Sequence, residues 1–177
     1  MDAQTSLVLV LMGSDSDYVV MQETGNTLEW FGVKYKMLIA SAHKTPVETV
    51  EYIRTYEDEG VEVFICGAGM AAHLAGVVAS YTLMPVIGVP LDSTVSPLSG
   101  IDAMLSTLQM PGGIPVATMA IGKAGAKNAA IFAVQILAKK HSHLQLRLQE
   151  YRDKLRNDLI RSQEKISCTP RVTETLG

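Results

Sequence analysis

Ser41-Ala42-His43-Lys44-Thr45-Pro46 gathers a hydroxyl on Ser41, an imidazole on His43 that can give or take a proton near neutral pH, and a fixed positive charge on Lys44. Such a set suits an anionic substrate undergoing proton transfer. The same residues also read as a plain helix start, with the Thr45 hydroxyl as N-cap and Pro46 at the first helical position. An apolar, strand-like run (residues 37–40) precedes the stretch and an amphipathic, helix-like run (residues 47–56) follows it. The stretch therefore belongs at the carboxyl end of a strand, where open α/β sheets bind ligands.

Two further loops have similar character. Gly13-Ser14-Asp15-Ser16-Asp17 lies between an apolar run (7–12) and a helical stretch (18–31) that Gly32 stops. Strand, Gly/Ser loop, helix is the order that aims backbone N–H groups and hydroxyls at a phosphate, although the same residues serve equally as helix caps. The loop lacks the Gly-Lys-Ser/Thr ending of a P-loop and the three glycines of a dinucleotide fingerprint. Asp17 would repel a phosphate, so any ligand contact it makes is with sugar hydroxyls. The third loop, Gly67-Ala68-Gly69-Met70-Ala71-Ala72-His73-Leu74-Ala75-Gly76, follows a strand at 61–66; its first and third residues allow a sharp turn and close approach to a ligand. His73 is the second histidine near a strand end, and a structural role is open to it as well as a catalytic one.

The remaining elements position these loops. A second strand is expected at 35–40, a helix ending near Gly60, a small-residue helix at 77–80 and a buried strand at 85–90. Residues 91–100 form a polar loop of a length that is usually functional or mobile. A short helix (101–108), a fifth strand (114–120) and an Ala-rich helix from Gly122 through Ala138 follow; Lys123 and Lys127 open that helix, as solvated charges or as aids to an anion site. His141 and His143 are two apart, which does not place them on one helical face. From 144 to 166 apolar residues recur at helical spacing among charges, giving either a terminal helix on its own sheet or a subunit-bridging arm. Strands alternating with helices predict an α/β fold: a doubly wound, flavodoxin-like parallel sheet of about five strands in three α/β/α layers, with an extra C-terminal helix. The expected organisation is a single domain over 1–140, a helical arm over 141–167 and a frayed tail over 168–177.

Composition bounds the partners. A length of 177 residues suffices for one core, and 47% hydrophobic against 19% charged residues suggests surface buried by subunit contacts. A net charge of −3 and a pI of about 5.8 argue against a nucleic-acid footprint, leaving anion binding local. Cys66 and Cys168 make no disulfide framework, and no signal peptide or membrane span is evident, so the cytoplasm is the expected location.

Taken together, M-G-S-D-S-D at residues 12–17, S-A-H-K-T-P at 41–46, G-A-G-M-A-A-H-L-A-G at 67–76, Q-M-P-G-G-I-P-V-A-T at 109–118 and A-I-G-K-A-G-A-K-N-A-A at 120–130 resemble, in order, the motifs of the PurE family of purine biosynthesis, class I. The resemblance implies a cofactor-free, metal-free N5-carboxyaminoimidazole ribonucleotide mutase, which moves a carboxylate from the exocyclic nitrogen to ring carbon C4. It also implies an octamer with sites at subunit boundaries and C-terminal helices that reach across. By position, Ser14 and Lys44 would hold the 5′-phosphate with Ser41 nearby, and Asp17 the ribose. His43 would be the general acid/base. His73 would join it, with Gly67, Ala68, Gly69, Ala71, Ala72 and Leu74 lining the pocket around the transferred carboxylate. Three positions depart from the family pattern: Lys44 stands for arginine, Met70 for glycine and Ala75 for proline. Lysine at that position is a feature of class II members, which carboxylate aminoimidazole ribonucleotide directly with CO2. That activity is the alternative, and a non-catalytic nucleotide-binding module on the same fold is another.

Overall fold

The structure, a computed structural model, describes residues 6–93 and 96–167. The tail at 168–177, with Cys168, lies outside the described residues, as do Thr94 and Val95 of the polar loop.

In chain order the elements are β1 (Val8–Met12), α1 (Tyr18–Phe31), β2 (Tyr35–Ile39), α2 (Pro46–Asp58), β3 (Val63–Gly69), α3 (Leu74–Tyr81), β4 (Val86–Leu91), α4 (Ile101–Leu108), β5 (Ala117–Thr118), α5 (Gly122–Leu137) and α6 (His143–Ser167). The strands pair in parallel in the order β2-β1-β3-β4-β5. This is the doubly wound, flavodoxin-like arrangement, whose order reverses beside β1 and leaves a crevice between the loops after β1 and β3.

The apolar run of β1 is continuous because both faces of the strand are covered. Val8, Val10 and Met12 join one core with residues of α1, α5 and the start of α6; Leu9 and Leu11 join the other with residues of α2, α3 and α4. Alternate side chains thus supply two helix layers from one strand. Gly32 ends α1 with a left-handed φ of 71°, as the residue pattern predicts.

Three elements depart from expectation: the strand expected at 61–66 runs instead over Val63–Gly69, its ladder with β4 carried through Gly69 opposite Leu91, so that Gly67, Ala68 and Gly69 end the strand before the loop begins. The fifth strand shrinks from 114–120 to two residues, since Pro115 has no N–H to give a ladder and Gly112-Gly113 precede it. The helix expected at 77–80 instead begins at Leu74, because Leu74, Ala75 and Val78 form its buried face.

The last helix divides in two. Leu144 and Tyr151 are buried in the domain core, and Tyr151 meets Trp30 and Phe31 at ring centroid distances of 4.9 and 5.2 Å. Arg147 stacks over Trp30 and donates to the Trp30 carbonyl oxygen. Beyond Tyr151 the same apolar series is uncovered, with Leu159 at 72% and Ile166 at 70% exposure. Where α5 gives way to α6, Lys140 Nζ and His141 Nε2 each lie 3.0 Å from Glu62 Oε1. Burial pushes the Glu62 carboxyl up, but these two hydrogen bonds outweigh it and hold it below the usual range.

Candidate active site

The loops after β1, β2 and β3 meet at the carboxyl edge of the sheet and enclose a cleft of about 300 Å³. Among the residues anticipated from sequence, Ser14, Asp17, Ser41, His43, Lys44, Ala68, Gly69, Ala71 and Leu74 line it. Residues as far apart in the chain as Ser14 and Leu74 are thus brought to one place by the parallel topology.

The first loop closes on itself. The Ser14 amide donates to Asp17 Oδ2 at 2.9 Å, and residues 15–17 make one 3-10 turn before α1. Burial raises the Asp17 carboxyl above its ordinary range against the lowering pull of the Ser14 hydrogen bonds. Asp17 is therefore already committed at one oxygen and partly shielded from water. Ser14 Oγ and Ser16 Oγ lie 2.6 Å apart, a hydroxyl pair at the cleft wall.

The second loop is a compact turn. The Ser41 amide donates to Thr45 Oγ1 at 3.0 Å, the Lys44 amide to Ser41 Oγ at 3.2 Å, and the Thr45 amide to Ser41 O at 3.0 Å. Thr45 does occupy the N-cap position with Pro46 next, but its hydroxyl makes no capping bond to α2. It is drawn back to Ser41, so it shapes the loop rather than the helix. The turn leaves the side chains of His43 and Lys44 exposed at the cleft.

His43 reaches the third loop. Its Nε2 lies 2.9 Å from His73 Nδ1, with ring centroids 5.0 Å apart and the rings nearly perpendicular. One of these nitrogens carries the hydrogen and the other the lone pair, so the two rings share one proton between them. His73 touches the site through this bond rather than as part of the cleft wall.

The third loop corrects two expectations. Gly67 lies within β3 and outside the cleft lining, and the space a Cβ would need there is filled by Met21, so this glycine serves packing of α1 against β3. Ala72 is buried at 2% exposure and lies behind the wall instead of in it. The sharp turn falls on Met70, which holds a left-handed φ of 55° where glycine is favoured and stands half-exposed at the cleft. Gly13, Ser16, Ala42, Met70 and Ser93 complete the lining without having been singled out as contacts. Ser16 sits within a motif already noted, and Ser93 follows β4 at the same sheet edge, which is the signal that identifies it.

Hydroxyls, a lysine, a shielded carboxylate and a hydrogen-bonded imidazole pair over one carboxyl-edge cleft define a doubly wound α/β protein built to hold a small anion and move protons on it. Comparison with known proteins narrows the class. The family model described as AIR carboxylase matches residues 7–158, and the chain belongs to that family. It is 50% identical over 151 residues to the N5-carboxyaminoimidazole ribonucleotide mutase of Pyrococcus horikoshii, covering 85% of this chain and 83% of that one. Against the mutase of Bacillus subtilis it is 44% identical over 160 residues, 90% of this chain and 98% of the other. The crystal structure of Treponema denticola PurE superposes with a TM-score of 0.80 at 30% identity, covering 89% of this chain and 96% of that chain.

Proposed function

We propose that this protein is an N5-carboxyaminoimidazole ribonucleotide mutase of purine biosynthesis, an isomerase that yields 4-carboxyaminoimidazole ribonucleotide. The observation that carries the reading is the placement of His43 and Lys44, side by side on one tight turn, over the cleft that Ser14, Asp17 and the turn at 69–71 also line.

The roles follow from chemistry. Lys44 and Ser14 hold the 5′-phosphate with Ser41 close by, and Asp17 accepts from the ribose hydroxyls. A protonated His43 donates to the carbamate nitrogen; the N–C bond breaks, its electron pair stays on nitrogen, and CO2 is released into the cleft. Ring carbon C4 attacks that CO2, forming the new C–C bond. His43, now neutral, removes the C4 proton and restores both the aromatic ring and its own starting state. His73 orients His43 through their shared hydrogen. Ala68, Gly69, Ala71 and Leu74 surround the CO2, keeping it near C4 and substituting proximity for concentration. Gly67 and Ala72 support that wall from behind.

The working protein is a cytoplasmic homo-octamer, and of the arm over 141–167 it is the part beyond Tyr151 that packs on a neighbouring subunit, the part up to Tyr151 being seated on its own domain. The uncovered apolar series on α6 beyond Tyr151 supports this, since exposed stripes of that kind seek a partner. No helix among the described residues is long and apolar enough to cross a membrane.

Lys44 favours a second reading, direct carboxylation of aminoimidazole ribonucleotide, because it replaces the arginine of class I members. The deciding experiment supplies purified protein with N5-carboxyaminoimidazole ribonucleotide, or with aminoimidazole ribonucleotide plus bicarbonate-equilibrated CO2. Rapid product from the first and little from the second is expected. The reverse pattern would establish a direct carboxylase. Substituting Lys44→Ala is expected to raise the apparent KM by roughly tenfold or more while changing kcat less, since a charge-assisted phosphate contact acts on ground and transition states alike. An unchanged KM in steady-state assays removes Lys44 from the phosphate site.

A further inference from the structure

The turn that walls the CO2 end of the cleft is held from outside the three loops, by α4. The Ala72 amide donates to Ser106 Oγ at 3.0 Å, and shares its hydrogen with Met70 O at 2.9 Å. Ser106 has one hydroxyl hydrogen of its own. Its nearest acceptor is Asp102 O at 3.0 Å on the same helix, with Ala103 O at 3.2 Å and Met70 O at 3.4 Å as further neighbours. The hydroxyl is thus anchored to α4 as donor and grips the turn as acceptor. Thr107, the next residue, is buried at 3% exposure and places its Oγ1 2.7 Å from Ala103 O and 3.5 Å from Ala72 O. The helix itself is seated hard on β4, where Thr107 occupies the room that a side chain at Gly88 would take.

This grip decides which donor faces the cleft. The Ala72 amide is consumed by Ser106 and Met70 O, whereas the Ala71 amide makes no hydrogen bond to the described residues and Ala71 lines the cleft. Met70, between them and the strand, is held in a backbone conformation it would otherwise leave.

We propose that Ser106 is a positioning residue for the transferred carboxylate: by holding the Ala72 amide it fixes the turn at 70–72 so that the Ala71 N–H points at the CO2 held between its two bonds. The inference rests on the mutase reading and adds a residue to it. Ser106 does not touch substrate. Its effect is on where one donor stands, and a donor displaced by a fraction of an ångström no longer retains CO2 through the interval between bond breaking and bond making.

The test compares wild type, Ser106→Ala and Ser106→Thr in the full-length protein. The primary readout is the leak, the fraction of N5-carboxyaminoimidazole ribonucleotide consumed that appears as free aminoimidazole ribonucleotide and CO2 instead of the C4-carboxylated product. Ser106→Ala is expected to raise the leak several-fold and lower kcat by roughly tenfold, with KM changed far less. Ser106→Thr, which keeps the hydroxyl, is expected to return the leak toward wild type. A leak unchanged in Ser106→Ala, whatever its kcat, overturns the proposal, and so does a leak in Ser106→Thr as large as in Ser106→Ala. A second measurement is independent of turnover: hydrogen exchange of the amides at 70–72 in the free protein should quicken in Ser106→Ala, and unchanged exchange also overturns it. Wild-type protein that makes no product from the carbamate would sink the mutase reading instead, leaving the exchange result to decide the role of Ser106 in the turn.

Discussion

Replacing His43 by asparagine is expected to lower kcat by about 10² to 10⁴-fold, the range spanned by general acid–base catalysis, while leaving the fold and its thermal stability unchanged. His43 is exposed on a turn whose hydrogen bonds run through the backbone and the side chains of Ser41 and Thr45, so nothing that shapes the loop is lost with the imidazole. Asparagine keeps a polar group toward His73 but titrates nowhere near neutrality. Both proton transfers of the proposed reaction go through the same ring, so both fail together. Burst-phase or single-turnover assays on folded protein, checked by circular dichroism, separate this from a binding defect. Substantial residual turnover with normal KM would remove His43 as the proton carrier and shift attention to His73, which lies 2.9 Å away.

Gly125→Ala is expected to be the most damaging methyl addition at any glycine of the described residues, destabilising the protein by about 3 kcal/mol or more. Gly125 is buried in the first turn of α5, and a Cβ there would collide with the carbonyl oxygen and carbon of Ala120. Those atoms belong to the main chain, which cannot rotate away as a side-chain tip can. The collision also falls where α5 leaves the carboxyl edge of the sheet, and α5 carries Ala126, Ala129, Ala130 and Ala133, all buried against α1 and the sheet. Lifting that first turn would loosen the whole layer. Gly112→Ala is the control, since a Cβ at Gly112 meets nothing within 4 Å. Urea unfolding should show a large drop in midpoint for the first variant and almost none for the second; equal midpoints would mean the turn can yield.

The elements that were legible in the sequence are those whose signal is local. Continuous apolar runs mark β1 and β4, and Gly32 and Pro46 mark a helix stop and a helix start, because burial on two faces and backbone dihedral limits act on neighbouring residues. Pro115 carries an equally local signal against a long fifth strand, one that the apolar run around it masks. The roles of Gly67 and Ser106 were not legible at all: the first depends on Met21 and the second on Ala72, contacts across 46 and 34 positions that only the folded topology creates. The division of α6 has the same origin. Tyr151 and Leu159 belong to one series, and Tyr151 is covered because Trp30 and Phe31 on α1 stand against it, whereas Leu159 is exposed. His43 and His73 were each visible as candidates, but their shared hydrogen is a property of two loops meeting.

The strand order has a consequence for how this protein behaves at high concentration. An open sheet has two borders, each a row of backbone donors and acceptors onto which a foreign strand can be laid. Here one border is β5, two residues long and preceded by Pro115, too short a template for stable addition. The other is β2, which sets the charge of an exposed Lys36 at the second of its five positions, between Tyr35 and Met37. The brevity of one border and the charge on the other guard against fibrous, edge-to-edge aggregation. Neither border therefore offers a long, uncharged template along which the sheet could be extended.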